Sequence, residues 1–392
     1  MNSILIIGAG LAGWTTAREF RKLDTTTPVL LITADSGDFY AKPSLSNAFA
    51  QGRLPAQLIS TPAAKMAETL NITLLPHTRV EAIDTVNKTV TTPHATLAYS
   101  QLVLATGAQP IRVPVGGDAA HQVMSVNSLD DFAAFHGRLQ PADGQHVLIM
   151  GAGLIGCEFA NDLAQAGYRV SVVDPGARPL AALLPEAASA ALQQALQGLG
   201  ARFHFGTTVS AVNSAAAGSP GADSLEISLA NGEIIAASCV LSAVGLRADT
   251  TLAQAAGLVV DRAIVVNTRL QTSADSVYAL GDSAQYASAA TPLSVHGSTL
   301  PYVMPIMAAA KALAANLAGT PCELVFPLMP VSVKTPALPL VVAPPKAGTD
   351  GQWKEAAAGL WQWLDEAGLQ RGFVLSGAQT AQRMVQSKRV TL

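Results

Sequence analysis

Six glycines stand at a spacing that suits phosphate. Gly8, Gly10 and Gly13 lie in GAGLAG, and Gly151, Gly153 and Gly156 lie in GAGLIG, so GxGxxG occurs twice. Each copy follows a short apolar run (Ser3–Ile7, His146–Met150) and precedes a helical pattern (Trp14–Leu23, Cys157–Ala166). In a strand–turn–helix unit the first glycine makes the tight turn and the second lets backbone approach a pyrophosphate. The third lets the helix lie on the sheet, and the free N–H groups and dipole of the helix N-terminus favour phosphate charge. A single match is also compatible with an ordinary turn. Two in the same context predict two dinucleotide cradles, Gly8, Ala9, Gly10, Leu11, Ala12 and Gly13 in one and Gly151, Gly153, Leu154, Ile155 and Gly156 in the other.

The strand after each cradle ends near an acid. Asp174 closes the run Arg169–Val173, where a carboxylate accepts from an adenosine ribose 2′-OH and repels a 2′-phosphate. That favours NADH over NADPH. Arg178 close by is a cation suited to the opposite preference, and Asp174 is also a good turn residue before Pro175. The first unit ends in Thr33, Ala34 and Asp35, an acid position that suits the ribose of a second cofactor.

Other chemistries find no residues. The three cysteines, Cys157, Cys239 and Cys322, form no CxxC pair, and the seven histidines show no HxxH or HExxH spacing, so neither a dithiol nor a metal site is expected. With 24 Lys+Arg against 27 Asp+Glu the net charge is −3, which does not suit nucleic acid. Apolar residues make up 49% and the mean hydropathy is +0.32. A spanning helix needs ~20 apolar residues in succession. Met304–Ala318 is interrupted by Lys311 and Asn316, and Leu338–Ala343 is short and set among prolines. No signal peptide is evident, and a cytoplasmic protein is expected.

The elements that must position these residues repeat. Ser3–Ile7, Trp14–Leu23 and Val29–Ile32 make one βαβ pattern, and His146–Met150, Cys157–Ala166 and Arg169–Val173 make another, with Gly167 as a helix stop. The small-residue stretch within Ala211–Asp223 reads as a hairpin connection. After Pro321 come short strand-like runs, Val331–Lys334, Leu338–Val342, Leu360–Leu364 and Phe373–Leu375. The expected class is α/β, with two Rossmann-like dinucleotide-binding domains and a small α+β C-terminal domain built on an antiparallel sheet. At ~150 residues per domain the 392-residue chain suits this division. The expected boundaries are 1–113 with 243–319 for one cofactor, 114–242 for NAD(H) and 320–392 for the C-terminal domain.

Two further motifs, VLATGA at Val103–Ala108 and YALGD at Tyr278–Asp282, the latter expected to precede an Ala-rich helix, complete a set of four. In this order, over nearly the whole chain, the four resemble the FAD- and NAD-dependent two-dinucleotide-domain pyridine nucleotide reductases. The resemblance implies that Ala105, Thr106 and Gly107 close an FAD domain, and that Asp282, after Gly281, accepts from the ribityl chain. Members that reduce disulfides or peroxides use cysteines after the first βαβ unit. The matching stretch here, Phe39–Phe49, has none, which excludes those routes because a thiolate is the nucleophile they need. The combination of YAKPSLS, PIRVPV, GAGLIGCEFANDL, SAVGLR, LPYVMPIM and MPVSVKTPALPLVV, over Ile4 to Val342, is similar to the NADH-dependent rubredoxin reductases, which serve alkane hydroxylation among other uses. After Pro344 the likeness weakens apart from RGFVLSGA.

The resemblance implies further roles. Lys42 would neutralise the FAD pyrophosphate, with Pro43 beside it, and Val80, in a strand, would touch the adenine. Gly245 would line the cofactor path, and Val303, with Pro305 opening a helix, would offer N–H groups to the flavin pyrimidine edge. Glu158 and Lys334 would be the catalytic candidates near the reacting rings. Read by position alone, Glu158 is an acid in a first helical turn, which the dipole favours anyway, and Lys334 is a cation at a sheet edge. Oxygenase-ferredoxin reductases of the family often carry a lysine near the Leu-Ser pair that meets this glutamate; here Asn47 follows Leu45-Ser46. The implied reaction takes hydride from NADH to FAD and passes electrons singly to rubredoxin, a small acidic protein that a basic patch would dock. Two alternatives stay open: reduction of a [2Fe–2S] ferredoxin or another small carrier, and an NADH-sensing flavoprotein that acts through partner binding.

Overall fold

Four consecutive aliphatic residues, Ile4–Ile7, are all buried, as a strand covered on both faces requires. A computed structural model places this strand at the centre of a parallel sheet and describes residues 3–139, 145–215, 225–291 and 297–392. The chain forms two units, one of Met1–Ala41, Ile59–Gln109 and Arg247–Met329, the other of Lys42–Leu58, Pro110–Leu246 and Pro330–Leu392.

In the first unit the strand order is Val277–Ala279, Gln101–Leu104, Ile4–Ile7, Val29–Ile32, Thr73–Leu75, every pair parallel. The helix Leu11–Arg21 crosses between the third and fourth of these and lies against the alanine-rich helix Val303–Leu317. Buried Ala309, Ala310, Ala312 and Ala314 on the latter allow that approach. Trp14 is fully buried and donates from its indole nitrogen to Gly37 O (2.8 Å), which ties the helix to the segment after the second strand. An antiparallel meander, Ala82–Asp84, Thr89–Thr91 and Thr96–Ala98, completes the unit with smaller elements.

The second unit repeats the plan. Its parallel sheet runs Arg202–Phe205, Arg169–Asp174, His146–Met150, Cys239–Ser242. Val209–Ser214 and Leu225–Leu229 pair antiparallel, as a hairpin requires; of the connection expected there, residues 216–223 lie outside the described residues. A five-stranded antiparallel sheet follows, in the order Val331–Val333, Leu340–Ala343, Gln370–Ser376, Leu360–Leu364, Gln352–Ala357. One apolar cluster contains Val147, Ile149 and Val172 from the parallel sheet and Val333, Leu340, Val342 and Val374 from the antiparallel one.

Several expectations need correction. The glycine-loop helices begin at Leu11 and Leu154, inside the motifs, rather than at Trp14 and Cys157. The third glycine therefore belongs to the helix, which brings the helix N-terminus to the loop. Asp282 is followed by a short strand, Ala284–Tyr286, and the alanine-rich helix starts only at Val303. That strand places fully buried Tyr286 beneath the turn, where its hydroxyl accepts from the Gly281 N–H (2.9 Å). Val80 lies in a loop, not a strand. The strand Gln352–Ala357 was not expected, because its mostly exposed, polar sequence carries no apolar run. Among the described residues no helix is long and apolar enough to cross a membrane.

Candidate functional site

In the first unit the carboxyl ends of four parallel strands carry the predicted motifs, at the edge where open α/β sheets bind ligands. A Cβ on Gly8, whose φ is +109°, would meet Ala105 O at 2.2 Å, and a Cβ on Gly13 would meet Gly8 O at 1.9 Å. No side chain fits at either place. Gly10, between them, has no atom within 4 Å of where its Cβ would stand, so the loop is tight on the protein side and open outward. Gly281 lies against the start of the same helix: its Cβ would come 3.0 Å from that of Ala12. Three sequence-distant motifs thus meet around one loop, and the open side at Gly10 fits the pyrophosphate of FAD.

The remaining first-unit candidates surround that edge. Asp35 Oδ1 accepts from Thr33 Oγ1 (2.6 Å) and from the Gly37 N–H (2.9 Å). The His77 N–H donates to Asp35 O and the Thr78 N–H to Thr33 O, which brings the loop carrying Val80 to the end of the second strand. Thr106 Oγ1 donates to Asp249 O (3.1 Å), and Gly107 has φ +73°. Val303 is the first residue of its helix, and Ala34 is exposed.

The second unit reproduces the cradle. Cβ atoms on Gly151 and Gly156 would meet Ala243 O at 2.7 Å and Gly151 O at 1.9 Å, while Gly153 again faces open space. Leu154 and Ile155 form the first turn of the helix, and Ile155 is exposed. Asp174 holds the loop: the Ala152 N–H donates to Oδ2 and the Gly176 N–H to Oδ1, each at 2.6 Å. A carboxylate has about four acceptor sites, so capacity for a ribose hydroxyl remains. Arg178 donates instead to Leu184 O (2.8 Å) and Ala181 O (3.3 Å), which commits its guanidinium to the following loop. Gly245 has φ +114°, and its carbonyl accepts from the Ile111 N–H.

Beyond this cradle the same helix carries a second polar cluster. Glu158 is completely buried. Its Oε2 accepts from Lys334 Nζ (2.5 Å) and Ser46 Oγ (2.7 Å), and its Oε1 accepts from the Lys334 N–H (3.0 Å). Lys334 Nζ also donates to Ser46 Oγ (2.8 Å) and Pro43 O (2.5 Å), so its three protons find three acceptors on the turn Lys42–Asn47 and on Glu158. One turn further along, Asp162 accepts from the N–H groups of Phe49 (3.0 Å) and Ala50 (2.8 Å). Burial pushes the Asp162 carboxyl up to about 6, against the pull of those N–H groups and of Lys334. The structure thus unites Glu158 and Lys334, predicted separately, and adds Ser46 and Asp162. For Asp162 the sequence did carry a signal, its position four residues after Glu158 on one helix face.

Cys157, in the helix after the second cradle, is not poised for chemistry. Burial and the nearby Asp174 and Glu158 carboxylates push its thiol up to about 12, and Sγ donates to Ala152 O.

Residues 2–309 match the pyridine nucleotide-disulphide oxidoreductase family. The chain belongs to that family. Residues 323–390 of this pyridine nucleotide-disulphide oxidoreductase match a second description, the rubredoxin binding C-terminal domain. It is 42% identical to a rubredoxin-NAD(+) reductase of Alcanivorax borkumensis, over 99% of this chain and 98% of that protein. It is 42% identical to another of Acinetobacter baylyi, over 100% and 98%. Against a nitric oxide reductase FlRd-NAD(+) reductase of Aeromonas hydrophila the identity is 40%, over 96% and 93%. Among solved structures, the fold matches a chain of the covalent putidaredoxin reductase–putidaredoxin complex with a TM-score of 0.87 at 23% identity, over 99% of this chain and 93% of that one. As a member of the pyridine nucleotide-disulphide oxidoreductases, the protein is a flavoprotein oxidoreductase that uses FAD and NAD(H).

Proposed function

We propose that this protein is an NADH-dependent reductase that passes electrons through FAD, one at a time, to a rubredoxin in the cytoplasm. The observation that carries this reading is the rubredoxin-binding match over residues 323–390, on a chain that also holds two dinucleotide cradles. The names of the Alcanivorax and Acinetobacter relatives support it, and on that likeness we place the rubredoxin in alkane hydroxylation. We assign 1–113 with 243–319 to FAD, 114–242 to NADH and 320–392 to the carrier.

The chain's share of the work is binding and orientation. We assign the Gly8–Gly13 loop to the FAD pyrophosphate with Lys42 and Pro43, Asp35 to the adenosine ribose, Val80 to the adenine, Asp282 to the ribityl chain and the Val303 helix N-terminus to the pyrimidine edge. Ala105, Thr106 and Gly107 close that side. We assign the Gly151–Gly156 loop and Asp174 to NADH, with Gly245 along its path. Bound FAD supplies the conversion of a two-electron donor into a one-electron donor. Glu158 and Lys334 are the polar pair we place at the reacting rings, where Lys334 also fixes the Pro43 carbonyl and so the turn that carries Lys42. No thiol takes part.

A second reading draws on the Aeromonas relative, whose name couples it to a nitric oxide reductase: the acceptor would then be a rubredoxin-like domain of a larger protein. Two measurements test the proposal. Anaerobic NADH should bleach the flavin absorbance within seconds; a flavin that stays oxidised would leave only the NADH-sensing alternative. Steady-state reduction of rubredoxin should exceed that of a [2Fe–2S] ferredoxin at equal concentration, and a tenfold preference for ferredoxin would reverse the assignment of partner.

A further inference from the structure

The C-terminal helix Arg383–Arg389 is built inside out. Its Gln386 is fully buried, whereas Met384 and Val385 are 67% and 50% exposed. Isolated exposed apolar residues are ordinary, but a helix that buries its amide and presents its apolar pair reverses the usual pattern. Helical spacing sets Lys388 above Met384 and Arg389 above Val385, so one face holds two apolar side chains and two cations. Both cations are exposed, and neither forms an ion pair with the described residues.

Seven residues make no stable helix by themselves. Polar ties hold this one in place. Arg383 donates to Pro330 O (3.1 Å), Gln362 donates to Gln386 (3.2 Å), and Ser387 Oγ donates to Arg383 O (2.7 Å). Just beyond the helix, the Thr391 N–H donates to Gln370 O (2.9 Å), and Arg371 donates to Thr391 O (3.1 Å). The face is therefore ordered before any partner arrives, which lowers the entropy cost of binding.

We propose that this face, Met384, Val385, Lys388 and Arg389, is the docking surface for an acidic rubredoxin. The inference rests on the rubredoxin-reductase reading above and names the surface that reading leaves open. Charge complementarity selects the occupant: two unpaired cations on a chain of net charge −3 give a local positive patch that steers an acidic protein and repels a basic one. The apolar pair supplies the desolvated centre that such a contact needs, with a thioether that adapts to its partner's shape. The helix also lies within residues 323–390, the stretch matched to rubredoxin binding.

The test uses the FAD-loaded full chain, a purified bacterial rubredoxin and, as a partner-independent acceptor, ferricyanide. K388E/R389E should lower kcat/KM for rubredoxin by about tenfold at low ionic strength, with the gap closing as salt rises. M384A/V385A should lower it by about threefold at all salt concentrations, because apolar contact is not screened. Ferricyanide turnover should stay at the wild-type level in both. If both variants reduce rubredoxin as wild type does, the face is not the docking surface, while the proposed function stands. If the wild-type chain itself turns over ferricyanide but not rubredoxin, the proposed function falls, and rubredoxin as occupant falls with it. If wild type is a dimer that K388E/R389E converts to a monomer, a second copy of the chain covers the face and the proposal is overturned.

Discussion

Lys334 Nζ stands 2.5 Å from Glu158 Oε2, and the backbone N–H of the same lysine donates to the other carboxylate oxygen, 176 positions away in sequence. One residue thus neutralises and orients a carboxylate that water does not reach. Breaking a buried pair from one side costs about 3–5 kcal/mol, because the remaining charge stays uncompensated. K334A should lose stability on that scale in urea unfolding, whereas E158Q/K334M, which removes both charges, should lose much less. A K334A variant within about 1 kcal/mol of wild type would show that Ser46 and the backbone suffice to hold Glu158.

The glycines of the first cradle should separate folding from cofactor binding. G13A forces a Cβ to 1.9 Å from a backbone oxygen and should destabilise the chain. G10A meets nothing within 4 Å, so thermal unfolding of the apoprotein should be unchanged while FAD retention drops. Flavin absorbance against protein concentration reads the difference. Full flavin content in G10A would remove Gly10 from the pyrophosphate site.

Cofactor preference should follow Asp174 and ignore Arg178. D174A removes the acceptor assigned to the ribose, the support of the Gly-rich loop at Ala152 and that of its own turn at Gly176, so KM for NADH should rise about tenfold or more while FAD stays bound. R178A should leave the NADH-to-NADPH ratio of kcat/KM unchanged, since that guanidinium is already held by Ala181 and Leu184 carbonyls. A changed ratio in R178A would show that the side chain reaches the nucleotide.

Asp162 should leave a mark on the pH dependence of stability. Its folded-state value of about 6 lies above the unfolded one of 3.8, so between these the folded chain binds the proton more tightly. Stability should therefore fall as pH rises from about 4 to about 6, by about 3 kcal/mol, and then level off. In D162N this contribution should vanish. The comparison of urea midpoints across the window isolates it, and equal slopes in both proteins would assign the effect elsewhere.

The thiols should be spectators. Burial pushes Cys157 up to about 12 and Cys239 up to about 11, and only Cys322 is partly exposed. Under native conditions a thiol reagent should modify Cys322 alone, and C157A should reduce its acceptor at the wild-type rate. Rapid labelling of Cys157 would contradict the packed geometry.

Much of the fold was legible because its signals are local. A glycine loop is spelled in six adjacent residues, and the two copies lie directly after short continuous apolar runs, Ile4–Ile7 and His146–Met150, that are visible in the text of the chain. Element ends were less legible. The two loop helices start at Leu11 and Leu154, because helix begins within the motif itself. The edge strand Gln352–Ala357 carried no apolar pattern, since most of it faces solvent.

By itself, the sequence determined the two cradles, the acids at the strand ends and the absence of a thiol relay, all of which follow from residue type and short spacing. Tertiary structure alone decided that Lys334, Ser46 and Glu158 share one hydrogen-bonded cluster, that Asp162 holds the Phe49–Ala50 backbone, and that Arg178 is turned into its own loop. It also decided that the last helix buries Gln386 and presents Met384. The physical reason is the same in each case. A polar group's partner is set by which segments packing brings together, whether 3 positions apart, as Arg178 and Ala181, or 288, as Lys334 and Ser46, and a buried charge accepts only the partner brought within hydrogen-bonding distance.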